Sequence, residues 1–284
     1  MRTEIRSLPL GVSGSLFRTP DPASYEECRQ AGVSHVEICF VPEWCDLQRE
    51  ALHEKLLQQK NWADNAGIML WSIHLPFGDE EDPSCLDETR RIAMTARHIE
   101  RIRAAEGTGM RKVVLHGSYE PIAPAERQTR IAALRRSLAE LGEAAGAQRM
   151  QIALECLPRT CIGSTIAETA EIIDGMDDIG LCCDTNHLLY DTTEDFIRTF
   201  GSRVVTLHIS DYDRVNERHW FPGQGTNDWN AILGALEAVK YTGPALFELA
   251  VRDWSKRPTC GQIRKCWDGL VEKYEAAKAA GNDA

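Results

Sequence analysis

Seven ionisable residues in this chain each close a short apolar run. HVEICF carries Glu37, LWSIHLPF carries His74, KVVLHGS carries His116, IALECLP carries Glu155, IGLCCDTNH carries Asp184, VVTLH ends on His208 and PALFELA carries Glu248. Acidic residues are depleted in strands and costly to bury unpaired, so one such strand end could come from an isolated salt bridge. Seven in the same place need a common cause. Glu155, Asp184, His208 and Glu248 close four successive runs, and three carboxylates with one imidazole form a hard, oxygen-rich donor set. Such a set suits a divalent metal, Mn²⁺ first, then Co²⁺ or Mg²⁺, with Zn²⁺ also compatible. The plainer alternative is four separate buried residues, each with its own hydrogen bonds; their matching depth weighs against it.

The other strand-end residues leave two roles open. His74 and His116 could ligate the metal or orient substrate hydroxyls from the far side of the pocket. Glu37 could touch substrate or form an ion pair with a neighbour. His187, three residues past Asp184, should lie near the same mouth. The loop from Val204 to Gly225 is crowded with Asp211, Asp213, Arg214, Glu217 and His219. Arg214 is its best candidate for a fixed positive charge able to clamp a hydroxyl, carboxylate or phosphate; Glu217 and His219 could serve a further metal or shape the loop. Nothing aligns His35, His53 or His98 with this set, and packing roles are expected for them.

These residues need a scaffold that brings strand ends together. Apolar runs alternate with helical patterns: helices are expected over about 24–31, 47–65, 90–105, 125–145, 164–175, 194–199, 227–239 and 262–280, each following one of eight strands, the first being LPLGVSG. Strict alternation at roughly 30-residue spacing points to a single α/β domain over residues 1–284, a (β/α)8 TIM barrel with its active site at the C-terminal ends of the strands. A doubly wound open sheet is the alternative, but it would gather ligands at one or two switch points rather than at nearly every strand end. The acidic FGDEEDPSCLDE segment after strand three is a lid candidate. Alternation along strands sends Cys156 and Cys183 outward to the helices and Cys182 inward, one layer beneath Asp184.

Composition narrows the class. The formal net charge of −11 argues against nucleic acid, whose binding needs clustered Lys and Arg. Ten cysteines without a C-x-x-C pair read as reduced thiols. MRTEIRSLPLG has no apolar stretch of signal-peptide length, and no run approaches a membrane span. A cytoplasmic protein with a small-molecule partner is expected, with no nucleic acid and no membrane; self-association into a homo-oligomer stays open.

The blocks IALECLP, CDTNHLLYDTT, LHISDYDR, PGQGTNDW and LFELA resemble those of the xylose-isomerase-like barrel superfamily, in particular ketose 3-epimerases of the tagatose and psicose type. The resemblance implies that Glu155, Asp184, His208 and Glu248 hold the metal, that Glu155 and Glu248 form an acid/base pair, and that His187 and Arg214 face substrate. It departs in one loop: VNERHWF separates the arginine from the Pro-Gly turn, and Glu217-Arg218-His219 is similar instead to the third-zinc motif of endonuclease IV, whose histidines also have counterparts in His74 and His116. The function expected is a metal-dependent isomerase or epimerase of a small ketose or hydroxy-keto compound, working through an enediolate. An abasic-site endonuclease, a dehydratase or lyase on the same chemistry, and a non-catalytic binding barrel are the alternatives.

Overall fold

Short β-prone runs and longer amphipathic stretches resolve into eight strands and, among the described residues 4–282, nine α-helices. The computed structural model gives β1 (Leu10–Ser13), α1 (Pro22–Gln30), β2 (His35–Cys39), α2 (Pro42–Cys45), α3 (Arg49–Asn65), β3 (Met69–His74), α4 (Glu88–Ala104), β4 (Lys112–His116), α5 (Arg127–Ala147), β5 (Gln151–Glu155), α6 (Ile166–Ile173), β6 (Gly180–Asp184), α7 (Thr193–Phe200), β7 (Val204–His208), α8 (Trp229–Ala238), β8 (Ala245–Phe247) and α9 (Cys260–Asn282). The first three residues of the N-terminal stretch lie outside the described residues. Two details differ from expectation: the single turn α2 is additional, and α6 is capped by Thr165 rather than Ser164, its side chain accepting from Glu168 N.

All strand pairings are parallel, in the order β7-β6-β5-β4-β3-β2-β1-β8. The ring closes just past the end of β7, where Ile209 N donates to Leu246 O at 2.7 Å and Glu248 N donates to Ile209 O at 3.1 Å. This closure carries Glu248 beyond the last strand residue to the side of His208. The protein is therefore a (β/α)8 barrel. Its interior holds Val114, Ala153 and Cys182, packed against Val205. A larger apolar shell, including Cys156 and Cys183, lies between the strands and helices, so the cysteines sort as strand alternation requires.

The helices follow from capping and periodicity. Asp21 and Ser24 form a capping box on α1, and Asp87, Thr192 and Asp228 cap α4, α7 and α8. In α7 the buried residues Thr193, Phe196, Ile197 and Phe200 recur at helical spacing on one face. The acidic segment after β3 is fastened rather than free: Arg90 holds Asp79 at 2.8 Å, Arg101 holds Glu81 at 2.8 Å and Arg130 holds Asp82 at 2.9 Å. Among the described residues no helix is long and apolar enough to cross a membrane.

Candidate active site

Register brings the strand ends into one space. Asp184 pairs directly with His208 across β6 and β7, and His116 pairs with Glu155 across β4 and β5. Glu155, Asp184, His208 and Glu248 each offer a donor atom within 4.8 Å of all the others. Glu155 is the hub. Its Oε1 lies 3.2 Å from His187 Nδ1 and 3.4 Å from His208 Nδ1, and its Oε2 lies 3.3 Å from both His74 Nε2 and His116 Nε2.

Hydrogen bonds to groups that only accept fix which nitrogen faces this centre. His208 Nε2 points at the Glu37 carboxylate, 3.1 Å from Oε1, so it carries a proton and leaves Nδ1 facing Glu155, Asp184 and Glu248. His74 Nδ1 donates to Leu75 O at 2.9 Å, leaving Nε2 toward Glu155. His187 Nδ1 donates to Cys156 O at 3.0 Å, leaving Nε2 toward Glu217, 3.7 Å away. Orienting a ligand nitrogen by a contact to the other nitrogen is how metal-binding histidines are held.

Three carboxylates at this depth repel one another and have lost water. Burial pushes Asp184 up to about 6, and the neighbouring carboxylates of Glu155 and Glu248 add to this against the pull of His187 and His219. Burial is the largest influence and opposes ionisation of Glu155 and Glu248, but the surrounding imidazoles together, His208 with His116 and His187 at Glu155 and His208 with His219 at Glu248, hold both below the usual carboxylate range. Both oxygens of Glu155, Asp184 Oδ2 and His208 Nδ1 are buried without a hydrogen-bond partner. Orphaned polar atoms converging on one point are costly unless a cation joins them, and this donor set fits a divalent metal.

The remaining expected residues fall in different places. His187 is buried at the hub, and His187, Glu217 and His219 form a second group of mutually close donors; His74, His116 and Glu155 form a third. Glu37 is fully buried, accepts from Ser72 Oγ at 2.8 Å and takes the ion pair with His208. Arg214 is solvent-exposed, with φ 57°, and contributes no ion pair to the cluster. The cation that does reach this region is Arg159, which was not singled out in the sequence. Its Nη1 lies 2.5 Å from Glu217 Oε1 and 2.6 Å from Asn216 Oδ1, and its Nε donates to Glu120 at 2.6 Å. Nothing in LPRTC signals a side chain that ties together the loops after β4, β5 and β7.

The loop after β7 is built by its own acids. Asp211 is fully buried and accepts from Tyr212 N, Gly223 N, Asn227 N and Trp229 Nε1, so it organises backbone rather than a ligand. Asp213 caps the turn at Val215 and Asn216 and pairs with Arg218. Asn186 Oδ1 accepts from both Arg218 N and His219 N, holding His219 at φ 49°. DTNH thus supplies a ligand candidate, a loop anchor and an imidazole in four residues.

A parallel barrel that collects carboxylates and imidazoles at the C-terminal mouth has the architecture of the (β/α)8 enzymes. More specifically, the chain belongs to the xylose isomerase-like TIM barrel family, whose model matches residues 25–266. It is 31% identical over 143 residues to a D-psicose 3-epimerase of Enterocloster bolteae, covering 48% of this chain and 44% of that protein, and 26% identical over 151 residues to an inosose isomerase of Bacillus velezensis, covering 48% of this chain and 54% of that one. The match therefore spans about half the length of these curated relatives. Similar solved structures include a D-tagatose 3-epimerase-like protein, with TM-score 0.77, 21% identity and coverage of 94% of this chain and 99% of that one. Another is the IOLI protein with a bound zinc atom, with TM-score 0.74, 19% identity and coverage of 94% and 99%.

Proposed function

We propose that this chain is a divalent-metal-dependent sugar epimerase or isomerase, acting on a small ketose or hydroxy-keto compound, with Mn²⁺ as its preferred ion. The observation that carries the proposal is that Glu155 and Glu248 approach the same imidazole nitrogen, His208 Nδ1, at 3.4 and 3.1 Å, Glu155 buried and Glu248 partly exposed at the mouth. Two bases that close together serve a reaction in which a proton leaves and returns. The matched relatives, which include a D-psicose 3-epimerase and an inosose isomerase, support the same chemistry.

Held by Glu155, Asp184, His208 and Glu248, the ion would supply Lewis-acid polarisation of a carbonyl and the adjacent hydroxyl. The chain's own residues do the rest. One carboxylate takes the proton from the carbon beside the carbonyl, leaving an enediolate. Return of a proton by the other carboxylate, on the opposite face, inverts that carbon; return by the first to the neighbouring carbon moves the carbonyl. His74, His116 and His187 surround Glu155 and are placed to orient substrate hydroxyls. Incubating the Mn²⁺-loaded protein with a panel of free ketoses should yield an epimer or isomer of at least one; a panel returned unchanged, with the metal bound, would contradict the proposal.

A phosphodiesterase of the endonuclease IV type is favoured by one observation, that the overlapping donor groups include one of His74, His116 and Glu155, one of Glu155, Asp184, His208 and Glu248, and one of His187, Glu217 and His219. Against it stand the net charge of −11 and Arg159, which already occupies Glu217 Oε1. Three bound metals per chain and incision of duplex DNA at an abasic site would reverse the ranking.

A further inference from the structure

Among the described residues, the exposed large apolar side chains are not scattered evenly. Phe77, Leu86, Tyr119, Tyr190, Val215 and Trp254 all lie on loops that follow the C-terminal ends of strands, the mouth side of the barrel; Met69 and Ile92 are the exceptions. Exposed apolar groups gathered around a polar site mark a surface that something covers. Among the described residues, Phe77 is the one of these whose ring packs against rings of the candidate site.

The Phe77 ring stacks on His116, with centroids 4.3 Å apart and planes at 21°, and lies 5.7 Å from the ring of His74. Both imidazoles present Nε2 to Glu155 Oε2 at 3.3 Å. One face of the phenyl is therefore set against the wall of the site, yet the residue remains 59% exposed. Gly78 follows with φ 140° and ψ −179°, a conformation essentially restricted to glycine. The acids beyond it are tied to Arg90 and Arg101. The result is an apolar plate at the edge of a polar pocket, held by a fastened loop.

We propose that Phe77 is a specificity-determining platform that stacks against the C–H face of the sugar, on the part of the substrate away from the reacting carbons. The inference rests on the sugar epimerase or isomerase reading above. One side of many sugars presents several C–H bonds together, whose positive hydrogens match the negative face of an aromatic ring, while the hydroxyls on the other side remain free for the imidazoles and the metal. An apolar ring gives nothing to a phosphate or carboxylate at that position, so the platform selects a hydroxylated, uncharged portion of the substrate. Phe77 touches no reacting atom; its contribution is to binding, and it should appear in KM more than in kcat.

The test compares wild type, Phe77→Ala and Phe77→Trp, with metal content measured on each sample. Phe77→Ala should raise KM about 5- to 20-fold, the scale of one lost aromatic contact with its buried area, with a smaller change in kcat and undiminished metal; Phe77→Trp should restore KM. Unchanged KM in Phe77→Ala would overturn the platform. So would a joint fall of kcat and bound metal, which would make the ring only a shield for His116. Saturation-transfer NMR with D-fructose separates this inference from the reading beneath it. If wild type turns over no ketose but its D-fructose C–H signals vanish in Phe77→Ala and persist in Phe77→Trp, the platform stands and the proposed reaction fails. Absence of those signals in wild type, or their persistence in Phe77→Ala, overturns the platform.

Discussion

The Glu37 carboxylate lies 3.1 Å from Nε2 of His208, and both side chains are fully buried. An ionised carboxylate only accepts hydrogen bonds, so this contact holds the proton on Nε2 and turns Nδ1 toward Glu155, Asp184 and Glu248. Glu37→Gln keeps the volume but lets an amide NH₂ face the ring, which no longer selects that tautomer. Metal affinity should fall about 10- to 100-fold, the range for loss of such a supporting contact, with the far-ultraviolet dichroism unchanged. Competitive chelator titration reads this directly, and equal affinity in the two proteins would dismiss Glu37 as the orienting group.

Asp184→Asn and His208→Ala each remove one donor from the four-residue set. Purified wild type should hold about one tightly bound divalent ion per chain, and each variant should lose it, because few ligands remain in an oxygen-rich site of moderate affinity. Elemental analysis giving the same metal content in all three proteins would remove the assignment.

Gly225 closes the PGQG turn where the chain passes against the Asp211–Tyr212 backbone. A Cβ there would collide with Tyr212 O, which accepts from Thr226 N and Thr226 Oγ1, and with Asp211 Oδ1, whose carboxylate accepts from Gly223 N, Asn227 N and Trp229 Nε1, so neither can move without undoing those bonds. Gly225→Ala should therefore displace the loop carrying Glu217 and His219 and cut activity at least tenfold, while the barrel still unfolds cooperatively. Activity within a factor of two of wild type would show that the loop absorbs the clash.

His98 is fully buried on α4, its Nδ1 3.0 Å from Arg101 Nη1. Burial first, then the charges of Arg101 and Arg97, depress its folded-state value from 6.5 to about 3. Between those values the unfolded chain binds a proton that the folded chain refuses, so stability falls as pH drops through that window, by up to about 1.4 kcal/mol per pH unit. Above the unfolded value the imidazole is neutral in both states and contributes no pH dependence. Urea unfolding of His98→Asn should lose about 1–2 kcal/mol less than wild type between pH 7 and pH 5. Equal losses would assign acid sensitivity elsewhere.

The barrel was legible because its signals are local: β-prone runs at regular spacing, each followed by a helical pattern, with an ionisable residue where seven of the eight strands leave the sheet. The convergence of Glu155, Asp184, His208 and Glu248 followed from alternation and strand order alone. Depth did not. Glu37 pairs with Ser72 while Cys39 pairs with His74, so Glu37 sits a layer below its neighbours, and the register shift beside it leaves no mark in HVEICF. Loop geometry was equally hidden. Arg214 looked like the pocket's cation because it follows His208 in sequence, whereas Arg159 reaches Glu217 and Asn216 through the folding of three separate loops.

In the proposed reaction Glu155 and Glu248 move a proton on and off one carbon. Wild type incubated with its ketose in D₂O should place deuterium on the carbon next to the carbonyl, since the transferred proton visits a carboxylate that can exchange with solvent. Glu155→Gln and Glu248→Gln, assayed with metal confirmed on the same samples, should lose both deuterium incorporation and epimer formation by at least the ~10²–10⁴ typical of general acid–base catalysis. Exchange persisting undiminished in both metal-loaded variants would contradict the two-carboxylate account.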